Sequence, residues 1–127
     1  MDKSIIIIMD ADSTTSEFIG EYLDLKFVDH NISCKCFDRG NDAWNFIKKK
    51  SNQIEVIISD SNHFGLKRFE LLKLCKKTFP FMAFILLISY GPDFDIGRKY
   101  TEFVLYKPVL LEKIFEIVSA RLKKKVN

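Results

Sequence analysis

The chain has 127 residues, 47% of them hydrophobic and 29% charged, with a formal net charge of +3. That length suits one ordinary domain with a real core, and the composition excludes a disordered tail or a collagen-like repeat. The small charge excess gives little reason to expect a nucleic-acid binder, and no apolar run approaches the roughly 20 residues of a membrane helix. The start, Met1-Asp2-Lys3-Ser4, leads into four isoleucines and then acid, with no small-residue cleavage site, so it does not read as a signal peptide.

Apolar runs alternate with helical patterns along the chain. Ile5 to Met9 is a continuous apolar run bounded by Asp10. From Ser13 to about Phe27, Phe18, Ile19, Tyr22 and Leu23 recur at helical spacing, and Thr14 with Glu17 reads as a capping box. A short strand is expected over Ile32 to Phe37, then a helix after Gly40 with Ala43, Trp44 and Ile47 on one side. Val56-Ile57-Ile58 is the next buried strand, and a third helix is expected from roughly Arg68 to Lys77, stopping before Pro80. Phe81 to Ile88 is a fourth apolar run and Phe103 to Tyr106 a fifth. Between Ser89 and Lys107, Gly91, Pro92, Gly97, Asp93 and Asp95 leave little periodicity, so any helix there should be short or irregular. A last helix carries Leu111, Ile114, Phe115, Val118 and Leu122 on one stripe and ends in Lys123-Lys124-Lys125.

Near-continuous apolar strands imply a sheet buried on both faces, and strict alternation with helices implies parallel βαβ units. The expected fold is α/β, a doubly wound three-layer sandwich on a five-stranded parallel sheet. Ligand sites in such folds lie beyond the carboxyl ends of the strands. Asp10 and Asp12 follow the first strand, Asp60 ends the third, Ser89 follows the fourth and Lys107 the fifth. Three carboxylates crowded together repel, and a hard divalent cation such as Mg²⁺ is one remedy. A lysine and a hydroxyl beside them suit a phosphoryl group carried on an aspartate. Each residue alone has a plainer reading: Asp12 as a helix cap, Ser89 and Asp60 as turn formers, Lys107 as an exposed lysine. Their joint occurrence at four strand ends favours chemistry.

Cys34, Cys36 and Cys75 are an odd number without a disulfide framework, and a C-x-C with His30 and His63 is poorly spaced for zinc. They read as free thiols acting as small core hydrophobes in a reducing cytosol.

The stretch EVIISDSNHFGLKRFELLK, Glu55 to Lys73, resembles the receiver domain of two-component response regulators, and the resemblance covers nearly the whole chain as one domain, 1–127, standing alone or cut from a larger regulator. It implies a flavodoxin-like strand order 2-1-3-4-5. It implies Asp60 as phosphoacceptor, Ser89 as switch hydroxyl and Lys107 as the cation that pairs with the phosphoryl group. Mg²⁺ would be held by Asp10, Asp60 and the Asn62 backbone carbonyl, and the bond from Lys107 to Pro108 would be cis. The implied partners are a histidine kinase or phosphotransfer protein, a downstream protein or attached output domain, and a second copy in a homodimer. The implied role is that of a cytoplasmic phosphoacceptor rather than a classical enzyme.

Three departures stand beside this. The second of the family's paired acids is Ala11, which should weaken the metal site, with Asp12 as the only nearby substitute. The loop after Asp60 carries Lys67-Arg68, expected to be solvated. The position three before the lysine, aromatic in the family, is Val104. Together they open a second reading, a pseudo-receiver that docks partners without phosphorylation. A rival from another class rests on IIIMDADST, Ile6 to Thr14, which resembles the first motif of haloacid-dehalogenase-type phosphatases with Asp10 as nucleophile and Asp12 as general acid/base. Its acidic last motif has no candidate after Lys107. The lysine runs at Lys48 to Lys50 and Lys123 to Lys125 complement helix dipoles.

Overall fold

A computed structural model describes residues 3–126, with side chains through residue 123. Met1 and Asp2 of the N-terminal reading, and the side chains of Lys124 and Lys125 in the terminal lysine run, lie outside the described residues. The elements are β1 (Ser4–Met9), α1 (Ser13–Lys26), β2 (Ile32–Phe37), α2 (Gly40–Lys50), β3 (Ile54–Asp60), α3 (Glu70–Thr78), β4 (Ala83–Ile88), α4 (Asp93–Arg98), β5 (Phe103–Tyr106) and α5 (Leu111–Val126). All pairings are parallel, in the order β2-β1-β3-β4-β5. The doubly wound sandwich expected from the alternation is the fold observed.

Side chains alternate across each strand, and the two faces sort cleanly. Ile5, Ile7, Met9, Ile57, Phe84, Leu86 and Ile88 point to one face, where Ala43 and Ile47 of α2 and Leu71, Leu72 and Cys75 of α3 cover them. Ile6, Ile8, Val56, Ile58, Ile85 and Leu87 point to the other, under Ile19 and Leu23 of α1 and Ile114 and Val118 of α5. Each fully buried isoleucine contributes roughly 2 kcal/mol over an exposed one, so three central strands rich in isoleucine and leucine anchor the domain.

Helix α4 is short, six residues, as the weak periodicity implied. It lies close against the sheet because Gly97 has no side chain; a Cβ there would run into Leu86 and Val104. Val104 is thus a buried packing residue beneath α4.

Four local readings change. The α1 cap is Asp12, whose carboxylate accepts from the Thr14 N–H at 3.0 Å and the Thr15 hydroxyl at 3.0 Å, so the Thr14–Glu17 box is not the cap. Phe18, placed on the buried stripe of α1, is 61% exposed. β4 starts at Ala83 rather than Phe81, because a turn closes Met82 N–H onto the Phe79 carbonyl and leaves Phe81 87% exposed. Among the cysteines Cys75 is buried in the core of one sheet face and Cys34 packs half-buried against that of the other, whereas Cys36 is exposed; all three are free thiols.

Candidate functional site

The strand order reverses direction between β1 and β3, and the crevice beyond their carboxyl ends is where such folds bind ligands. Met9 pairs with Ser59, so one step further along the two strands Asp10 stands beside Asp60. Lys107 follows β5, and its N–H donates to the Ile88 carbonyl at 2.7 Å, which fixes the residue over the end of β4. Its peptide bond to Pro108 is cis, as the resemblance implied.

These placements bring three charges together. Lys107 Nζ lies 2.9 Å from Asp10 Oδ2 and 3.0 Å from Asp60 Oδ2. Burial disfavours the charged lysine, but the hydrogen bonds it donates to Asp10 and Asp60, and then their charges, outweigh it, so its pKa stands above the ordinary value. The two carboxylates differ in what remains open. Asp10 is 2% exposed, and its Oδ1 accepts the Asp12 N–H at 2.9 Å, so both oxygens are engaged. The Asp60 side chain is 16% exposed, and its Oδ1 accepts no hydrogen bond from a described residue. Of the two, Asp60 is the one presented for chemistry. A phosphatase reading with Asp10 as nucleophile has no such open oxygen, and its general acid, Asp12, is engaged in capping α1.

The remaining candidates sit at the rim. Asp12 is exposed, and its pKa is lowered first by the Thr15 hydroxyl and then by the Thr14 N–H. Ser89 is exposed just past β4, and its hydroxyl bonds to no described residue. Asn62 is exposed in the loop after β3.

As a Mg²⁺ site the donor set is reduced. No cluster of three acidic, histidine or cysteine side chains exists among the described residues. Ala11 offers no ligand and Asp12 is engaged in capping. Asp10 and Asp60 are the two carboxylates brought side by side, a number that suits Mg²⁺, which in phosphoryl-transfer sites commonly takes one or two carboxylates, phosphate oxygens and water.

Sequence reasoning missed a second charged cluster across the mouth. Arg68 is exposed, as expected, but it also pairs with Asp93 at the start of α4, and the Ser61 hydroxyl donates to the same Asp93 oxygen at 3.4 Å. It also missed His63, which is buried with Nδ1 unpartnered among the described residues; burial lowers its pKa against the pull of Asp60. Gly40 makes room for that ring, since a Cβ there would collide with it.

No protein-family model and no curated protein matches this chain. Solved structures do. It is similar to a response regulator receiver domain protein from Clostridium thermocellum, at 21% identity and TM-score 0.82 over 96% of each chain. It is similar to a CheY-like receiver domain from Methanospirillum hungatei, at 18% identity and TM-score 0.78 over 97% of this chain and 99% of that one. It is also similar, at 14% identity and TM-score 0.76 over 96% of this chain and 52% of that one, to a structure described as a streptococcal family of redox sensors evolved from two-component response regulators. The helices among the described residues include none long and apolar enough to cross a membrane. With its strand order and these neighbours, the chain has the receiver-domain fold of two-component response regulators.

Proposed function

We propose that this domain is a cytoplasmic signalling receiver in which Asp60 accepts a phosphoryl group from a phosphohistidine on a kinase or phosphotransfer protein. What carries the reading is the Asp10–Lys107–Asp60 cluster, in which Asp60 alone keeps an oxygen free and partly exposed. In the transfer, Asp60 Oδ1 forms the new O–P bond as the N–P bond of the donor breaks. Lys107 moves its ammonium from the carboxylates to the phosphoryl oxygens, where a charge-assisted hydrogen bond is strongest. Asp10 stays behind to orient that ammonium. Mg²⁺, held by Asp10, Asp60 and the Asn62 carbonyl, would supply charge neutralisation of the phosphoryl oxygens. The Ser89 hydroxyl, unengaged at the rim, donates to a phosphoryl oxygen and so couples modification to the β4–α4 loop. A downstream protein, an attached output domain or a second copy reads the change as a shift between two pre-existing states.

One observation favours a second reading, a docking module that works unphosphorylated: the third anionic ligand is absent, with Ala11 in its place and Asp12 turned to the helix cap. Fold alone does not choose between the two. Intact mass after incubation with acetyl phosphate and Mg²⁺ does. A single phosphoryl adduct, absent in Asp60→Asn, is the expected result. A folded, unmodified protein would contradict the acceptor reading and leave the docking module.

A further inference from the structure

The Arg68–Asp93 pair joins two loops that flank the crevice. Arg68 lies in the loop that follows Asp60; Asp93 opens α4 beyond Ser89. The loop is tethered on both sides of the arginine's reach. Ser61, the residue after Asp60, donates its N–H to the Leu87 carbonyl at 3.2 Å and accepts the Phe69 N–H at 3.2 Å. Phe69 is buried and holds φ 65, a left-handed conformation that a phenylalanine adopts only where its surroundings impose it. The Arg68 backbone is therefore fixed beside the phosphoacceptor loop, while its guanidinium rests between the rings of Phe69 at 4.9 Å and Tyr90 at 6.0 Å.

The two partners are unequal. Asp93 is 1% exposed, whereas the Arg68 side chain is 41% exposed. One Asp93 oxygen takes both Arg68 and Ser61, and the other, Oδ1, is buried with no hydrogen-bond partner among the described residues. This is a poor match for a guanidinium, whose planar fork favours two parallel bonds to an oxyanion. A buried acceptor left unsatisfied is itself costly. The cation is thus the partner that can leave, and a phosphoryl group with three oxygens on the neighbouring Asp60 is the better acceptor. If Arg68 leaves, Asp93 becomes a buried carboxylate without its counterion at the start of a six-residue helix, too short to persist unaided. The far half of α4 remains pinned through Gly97 to Leu86 and Val104.

We propose that Arg68 is a phosphoryl-binding residue held by Asp93 in the unmodified state, and that its change of partner releases the N-terminal turn of α4. The proposal rests on Asp60 being the acceptor. The test is amide hydrogen exchange across α4, read with intact mass, before and after incubation with acetyl phosphate and Mg²⁺. In the wild type the adduct should speed α4 exchange several-fold. Arg68→Ala should show the fast exchange without any phosphoryl donor, gain little more with it, and form adduct at a several-fold lower yield. Arg68→Lys, which keeps the charge and loses the fork, should hold α4 nearly as well as the wild type before modification while still losing adduct yield. An adduct that leaves α4 exchange unchanged, or an Arg68→Ala protein indistinguishable from the wild type, would overturn this proposal and leave the acceptor reading intact. A wild type that forms no adduct would overturn both.

Discussion

Two clusters of like chemistry crown the carboxyl end of the sheet, and they differ in what they leave open. Around Lys107, one ammonium is shared by two carboxylates, and Asp60 keeps an oxygen unbonded at the surface. Around Asp93, a half-exposed guanidinium meets one deeply buried carboxylate. The first arrangement has an open carboxylate oxygen with an ammonium beside it, which is what the proposed acceptor role needs. The second has nothing to offer a ligand except the cation itself. Similar ion pairs therefore serve different ends according to which partner is buried.

Lys107→Met should break the first cluster most severely. It leaves Asp10 buried opposite Asp60 without a counterion, which costs about 3 kcal/mol of stability, near the low end for a broken buried pair. Adduct formation with acetyl phosphate should fall below detection in a mass spectrum in which the folded wild type is fully labelled. Leu72→Ala, on the buried face of α3 and a member of neither cluster, should cost about 3 kcal/mol as well, by loss of buried apolar surface and a residual cavity. Denaturant unfolding would show the same loss for both, yet Leu72→Ala should keep its adduct while folded. Equal loss of adduct in the two variants would mean that stability, not the charge cluster, decides reactivity. Arg68→Ala separates the clusters from the other side: adduct yield falls but does not vanish, and the local effect lies in α4.

Acid and alkali probe the pair of clusters more gently. His63 has its pKa lowered by burial, so the unfolded chain takes up a proton first as pH falls below the ordinary value of 6.5. The domain should hold full stability from this group above that value and lose some on acidification to about pH 5, with a smaller loss in His63→Gln. Lys107 runs the other way. Its pKa is raised in the folded state, so its contribution is complete below 10.5 and declines as pH rises through the folded value. Denaturant midpoints across pH for wild type, His63→Gln and Lys107→Met would read both effects.

The fold was legible because its cause is local. Continuous apolar strands such as Ile5 to Met9 and Phe84 to Ile88 can satisfy both faces only inside a sandwich. Strand ends then located Asp10, Asp60 and Lys107, whose convergence follows from register and strand order. What escaped was set by tertiary contact. Phe81 is as apolar as Phe84, and only the turn after Phe79 decides that it lies outside the strand. Asp12 looked equally apt as ligand or cap until its carboxylate was seen on Thr14 and Thr15. Arg68 and Asp93 are 25 residues apart, one in a loop and the other at the start of a six-residue helix, and no local pattern announces that they meet.

Locating the phosphoryl group decides whether Asp60 is the acceptor. Acyl phosphates are reduced by borohydride to the alcohol, so trapping the acetyl phosphate-treated protein and sequencing its peptides by mass spectrometry marks the acceptor. Conversion of Asp60 to homoserine, with Asp10 and Asp12 unchanged, is the result expected. Homoserine at Asp10 or Asp12, or none anywhere in a folded and fully covered sequence, would contradict the account.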